Sequence, residues 1–209
     1  IPLRLVGSEM CIRDSSIGTY LPKLVRSGHR VAVCDQLEQA SKEKKIVKRG
    51  VTELVTPGIA LTDQLLESKG NNFLSAISFA KNKAGIAFLD ISTGEFYVGE
   101  GEISYISKLV NDFAPSEILY SKNKDLFFQE NFKSKAYKFK LDDWVFEKDF
   151  ALEKLNIQFG TKSLKGFGIS NLDLAIVAAG AILHYISTAE HHHTSCLLYT
   201  SDAADDLLC

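Results

Sequence analysis

The residues that could do chemistry are first of all acidic. Asp90 and Glu95 stand five positions apart, across Ser92-Thr93-Gly94. Carboxylates at the end of a strand can assemble Mg²⁺, which polarises a phosphate and an attacking water. Such a site draws further acids from other elements. The candidates are Glu117, Asp142, Asp143 and Asp173, and none stands in a metal-binding motif. An aspartate at the mouth of a turn has a plainer use, because its carboxylate accepts nearby backbone amides. The turn role is the preferred reading of Asp90, and a Mg-dependent nuclease using Asp90 is the alternative.

Other chemistry is thinner. No GxxxxGK[ST] is present, and no GxGxxG opens a helix. Gly166-Phe-Gly168 precedes a long helical stretch, where free amides attract anions; a tight connection is the preferred reading. His191-His192-His193 read as solvated, and His29 and His184 as structural. Cys34 lies in a strand-like apolar run and reads as a buried free thiol. Lys42, Lys44, Lys45, Lys48 and Arg49 form the one local basic cluster. Such a cluster can neutralise phosphates, although composition alone favours a solvated loop.

Bulk properties narrow the class. The 209 residues are 45% hydrophobic and 24% charged, with a net charge of −2. These are the proportions of a globular protein without a global basic signature. No apolar run approaches the ~18 residues of a membrane span. No cationic stretch leads into an apolar one at the start, so no signal peptide is expected.

The elements that must position these groups follow from periodicity. Thr19–Arg26 has helical spacing, with Pro22 tolerable in a first turn and Ser27-Gly28 as the stop. Arg30–Asp35 and Ile46–Thr56 read as strands around the basic loop, with Pro57-Gly58 ending the second. This unit is too small to hold a core alone. Phe73–Ala80, Gly85–Asp90 and Glu95–Gly99 read as three consecutive antiparallel strands. In the second, Ile86 and Phe88 share one face with Asp90, while Ala87 and Leu89 share the other with Ile91. Apolar residues on both faces place this strand centrally. Ser104–Phe113 is an amphipathic crossover helix ending before Pro115, and Glu117–Tyr120 a strand added in parallel. Lys124–Gln129 is a short helix, Ala136–Phe139 a strand and Trp144–Leu155 partly helical. Ser170–Ser187 is the strongest helix, capped by Ser170 or Asn171. The sum is an α/β arrangement whose best match is a mixed five-stranded sheet of the ribonuclease H-like kind with flanking helices.

Three groups of residues carry a family resemblance. Tyr20-Leu-x-Lys23-Leu-Val, Val31-Ala-Val-Cys-Asp-Gln36-Leu-Glu38 and Val47-x-Arg49-x-Val51-x-x-Leu54-Val-Thr-Pro-Gly58 form the first. Asn72-Phe73-Leu74 and Leu89-Asp-Ile-Ser-Thr-Gly-Glu-Phe96 form the second. Asn156-x-Gln158-Phe-Gly160 with Gly166-Phe-Gly168 form the third. In order and spacing, from about Ile17 to His193, they resemble the MutS family of DNA mismatch repair proteins. The first group resembles the end of its mismatch-binding domain I, and the others its connector domain II. The resemblance implies a dimeric, cytoplasmic parent protein that binds mispaired double-stranded DNA, uses ATP and Mg, and communicates with a MutL-type partner. It implies a ribonuclease H-like connector without nuclease activity. It offers Lys48 and Arg49 as DNA-backbone contacts. The family's Phe-x-Glu mismatch reader and its nucleotide-binding domain have no counterpart in the matching stretch, so no catalytic, cofactor or metal residue is carried over.

The ends read differently. Met10–Ser15, MCIRDS, and Cys196–Ser201, CLLYTS, can be encoded by opposite strands of one oligonucleotide, as translated sequencing adapters would be. Residues 1–15 and 196–209 are therefore expected to be non-native. Three of the four cysteines (Cys11, Cys196, Cys209) and the single methionine, Met10, fall there. The expected organisation is the end of domain I over 16–60, a linker over 61–71 and the connector over 72–195. The whole is expected to be a fragment. One interior cysteine fits a reducing, cytosolic compartment.

Overall fold

The computed structural model describes residues 17–38, 48–59, 71–169, 171–189 and 198–199. The chain begins with helix α1 (Ile17–Arg26), followed by strands β1 (Val31–Gln36) and β2 (Arg49–Val55). Pro22 falls in the second turn of α1 rather than the first, because the helix starts two residues earlier than the spacing predicts. The strands pair antiparallel from Val31 opposite Val55 to Gln36 opposite Arg49, with an irregularity at Val33/Cys34. α1 covers one face of this ribbon. Val25 and Val55 are its buried pair, flanked by Leu21, Val31 and Val33. Two buried side chains make no independent core, as the size of the unit leads one to expect.

The second unit is a mixed sheet. Strands β3 (Phe73–Ala80), β4 (Lys83–Asp90) and β5 (Glu95–Glu102) run antiparallel. Helix α2 (Ile103–Phe113) then crosses back, so that β6 (Glu117–Ser121) adds parallel to β3. Helix α3 (Asp125–Asn131) leads to β7 (Tyr137–Leu141), parallel to β6. The order is β7-β6-β3-β4-β5, the five strands the sequence predicts. A two-residue strand β8 (Leu198–Tyr199) joins the outer edge of β5 in parallel. β4 is central, and its two faces serve two cores.

On one face Ile77, Ile86 and Phe88 pack with Ile106 and Val110 of α2 and with Phe128 of α3. On the other, Leu74, Ala76, Ala87 and Leu89 meet helices α4 (Lys148–Phe159) and α5 (Asp173–Thr188). α5 is buried almost all round, so it carries no single apolar stripe and sits within the layer instead. Its small residues Ala178, Ala179, Gly180 and Ala181 admit α4 at close range.

The helix boundaries depart from periodicity in three places. α4 runs four residues beyond Leu155, to Phe159, where Gly160 at φ 60° closes it. The Lys122–Lys124 stretch is a separate 3₁₀ turn before α3. α5 starts at Asp173 with Leu172 at its N-cap, so Asn171 does not cap it; Ser170 lies outside the described residues. The linker expected over 61–71 falls outside them up to residue 70, as do residues 1–15 and 196–209, expected to be non-native, apart from Leu198 and Tyr199.

Candidate functional site

The acidic candidates are dispersed, and each of the four below has a partner of another kind. Asp90 is 1% exposed. Its Oδ2 accepts the Asn72 N–H at 3.0 Å, and its Oδ1 accepts the Ser92 N–H at 2.9 Å and the Ser92 hydroxyl at 2.5 Å. Its carbonyl accepts the Gly94 N–H at 2.8 Å, and Gly94 sits at φ 79°, where a side chain would be strained. The carboxylate is thus filled by donors from its own turn and from the entry of β3. Asp142 pairs with Lys122 and Asp173 with Lys148. Asp143 accepts from the Ser121 hydroxyl and from the Asn123 amides. Among the described residues no three His, Cys, Asp or Glu side chains converge as a metal set. The nuclease alternative is not favoured.

The N-terminus of α5 is occupied from within. The Leu174 N–H donates to Glu100 Oε2 on β5 at 2.8 Å. Gly166 and Gly168 belong to a separate 3₁₀ turn, Leu164–Phe167, and its cap, so they do not open α5. His184 rests against Trp144 and Phe150, and burial with Lys154 nearby holds its pKa below the ordinary 6.5. His29 is exposed, and its backbone N–H donates to Leu24 at the end of α1. His191–His193 lie outside the described residues. Cys34 corrects an expectation: it is exposed. Alternation in β1 turns Val31 and Val33 toward α1, and Cys34 therefore faces the other way, where no described element covers it.

Glu117 is where the two units meet. It opens β6 and is 2% exposed. Oε2 accepts the Thr56 hydroxyl at 2.6 Å and the Gly58 N–H at 3.0 Å, both from the segment after β2. Oε1 accepts the Tyr185 hydroxyl of α5 at 2.6 Å. Burial and the adjacent carboxylate raise the Tyr185 pKa, which keeps the phenol a donor. A Cβ at position 58 would stand 2.9 Å from the Glu117 Cβ, so only glycine brings the amide this near.

Neighbouring contacts extend the joint. Arg30 lies 4.0 Å from the Phe139 ring centroid and 5.5 Å from that of Tyr185. The Tyr137 hydroxyl donates to the Arg26 carbonyl at 2.9 Å, and its ring fills the space a side chain at Gly28 would take. Asn72 donates to the Pro57 carbonyl at 2.9 Å. Sequence reading missed this site. Its one signal was a charged residue opening the otherwise apolar run Glu117-Ile118-Leu119-Tyr120, opposite a Thr-Pro-Gly turn 59 to 61 positions earlier.

Lys48 and Arg49 sit at the other end of the ribbon. Both are exposed. The Lys48 carbonyl accepts the Leu37 N–H at 2.9 Å, and Arg49 pairs with Gln36. β2 carries Arg49 at one end and Val55 at the other, next to Thr56. At ~3.3 Å per residue the strand is about 20 Å long. The ribbon thus joins an exposed cationic end to a buried carboxylate. Lys42, Lys44 and Lys45 lie outside the described residues.

Comparison with known proteins agrees with the resemblance. The family pattern described as MutS domain I matches residues 8–64, and that described as MutS domain II matches residues 72–197. The chain is 52% identical over 191 residues to the DNA mismatch repair protein MutS of Phocaeicola vulgatus, covering 91% of this chain and 22% of that protein. The protein of the same name from Bacteroides thetaiotaomicron is 54% identical over 176 residues, covering 84% and 20%. That from Flavobacterium johnsoniae is 50% identical over 191 residues, covering 91% and 22%. The chain spans about a fifth of the length of these relatives.

Proposed function

The chain belongs to the MutS family, and from that premise we propose that it is the part of a mismatch repair protein that contacts DNA backbone and couples that contact to the connector. Lys48 and Arg49 meet phosphates at the free end of the ribbon, and the Glu117 joint holds the other end. Phosphate contacts position a protein on a duplex without reading sequence. In the parent protein this stretch serves a cytoplasmic homodimer that binds mispaired DNA, uses ATP with Mg, and signals to a MutL-type partner. The stretch itself turns over no ATP. The observation that carries the reading is the ribbon: two exposed cations at one end, a buried intersegment joint at the other.

The test is duplex binding by the chain as a function of salt. Each phosphate neutralised contributes ~0.9 to the slope of log affinity against log salt. Lys48→Ala/Arg49→Ala is expected to flatten that slope by about 1.8 and to weaken matched and mispaired duplexes equally. An unchanged slope would remove these residues from the interface.

A further inference from the structure

Glu117 does more than fill space between two packed units. It is a buried carboxylate with three donors, and they come from both sides of the joint. Thr56 and Gly58 belong to the ribbon's exit, and Tyr185 to the last full turn of α5. The same carboxylate therefore specifies where the ribbon sits and which rotamer Tyr185 takes. Apolar packing alone would leave that orientation loosely defined, because apolar contact is non-directional, whereas a carboxylate accepting three donors fixes angle as well as distance.

The ribbon contributes only Val55 to the small buried cluster it shares with Val25 of α1, so its placement cannot come from a core of its own. The Thr56, Pro57 and Gly58 turn must be held from outside, and Glu117 and Asn72 hold it. Glu117 is also linked to its own sheet, since its carbonyl accepts the Ser75 hydroxyl at 3.2 Å. The joint is thus anchored on β3, β6 and α5 at once.

We infer that Glu117 is the positioning residue of this protein: with Tyr185 it locks the cation-bearing ribbon onto the connector sheet, so that force or order imposed at Lys48 and Arg49 reaches α5 through this buried carboxylate, alongside the packing of Leu54 and the Arg30 contact with the Tyr185 ring. The lock itself is a property of the joint. Its use in DNA binding rests on the reading of the ribbon as the DNA-contacting end.

The experiment labels Cys34 on the ribbon and a cysteine introduced at Leu126, which is 77% exposed on α3. Cys11, Cys196 and Cys209 are changed to serine, and the label-to-label distance is read by pulsed electron resonance. The parent chain is expected to give one narrow distance distribution. Glu117→Ala should broaden it severalfold and speed exchange of the Gly58 amide at least tenfold, while the amides of β4 stay protected. Glu117→Gln, which keeps an acceptor, should restore most of the narrowing. If Glu117→Ala loses the connector fold, Tyr185→Phe and Thr56→Val, each removing one donor, decide the matter by the same distance. A narrow distribution in these variants, with β4 intact, overturns the lock.

A second arm adds a matched duplex and follows amide exchange. Protection is expected at 48–55 and at Gly58 in the parent chain, and at 48–55 alone in Thr56→Val or Tyr185→Phe. Protection spreading to Gly58 in those variants would overturn transmission through Glu117. No protection at 48–55 in the parent chain would instead sink the DNA reading and, with it, the use assigned to the joint. The distance arm would still decide the lock.

Discussion

The carboxylate of Asp90 accepts the backbone N–H of Asn72 at 3.0 Å, and so ties the entry of β3 to the exit of β4. Ser92 holds the other oxygen. The residue that suggested metal chemistry is thus the clasp of the hairpin. Asp90→Ala leaves three donors of a buried site without their acceptor, and a cost of about 2–4 kcal/mol is expected. Asp90→Asn, which keeps one oxygen, should cost about half as much. Denaturant melts of the two variants check this; equal midpoints with the parent chain would refute the clasp.

Gly180 marks the tightest approach of α4 to α5. A Cβ there would overlap that of Ala151 and stand 2.5 Å from its Cα. Neither helix can yield without shifting backbone against the sheet, since Ala151 is itself fully buried. Gly180→Ala gains helix propensity of about 1 kcal/mol but is expected to lose about 1–2 kcal/mol net through overpacking. The double change Gly180→Ala/Ala151→Gly should recover most of that loss, and a double-mutant cycle in thermal melts measures it.

His184 predicts a pH dependence. Its pKa is lowered in the folded chain, first by burial and then by Lys154. The unfolded chain therefore binds a proton more readily, and stability falls as pH drops below about 6.5 toward the folded value. Above 6.5 the neutral ring against Trp144 and Phe150 contributes in full. Nuclear magnetic resonance titration should give a midpoint below 6.5 for His184. His184→Gln should lose less melting temperature between pH 7.5 and pH 5 than the parent chain does.

Cys34 is exposed on β1 and should be open to thiol reagents in the native state. Alkylation of the folded chain, read at the Cys34 peptide by mass spectrometry, is expected within about tenfold of the rate in denaturant. Protection of a thousandfold would show that another element covers the ribbon's outer face.

The two-sided strand β4, the antiparallel trio, the crossover helix and the parallel β6 were all legible as sequence. Each rests on a local period: Ile86 and Phe88 against Ala87 and Leu89, or the 3.6-residue stripe from Ile106 to Phe113. Local patterning also made Asp90 readable as a turn residue, because Ser92 and Gly94 stand beside it. The same patterning misjudged Cys34. Alternation says that two faces differ, but not whether the second face is covered.

The joint was out of reach. Glu117 meets Thr56 and Gly58 about 60 positions upstream and Tyr185 68 positions downstream. An isolated sequence shows an acidic residue beside an apolar run, and such a residue reads equally as a metal ligand or an exposed charge. Only burial separates these, because a carboxylate removed from water demands donors, and the fold alone decides which donors arrive. The sequence by itself determined the family and the succession of strands along the chain. The tertiary structure decided that Glu117, the one buried glutamate among the described residues, joins two units instead of binding a metal.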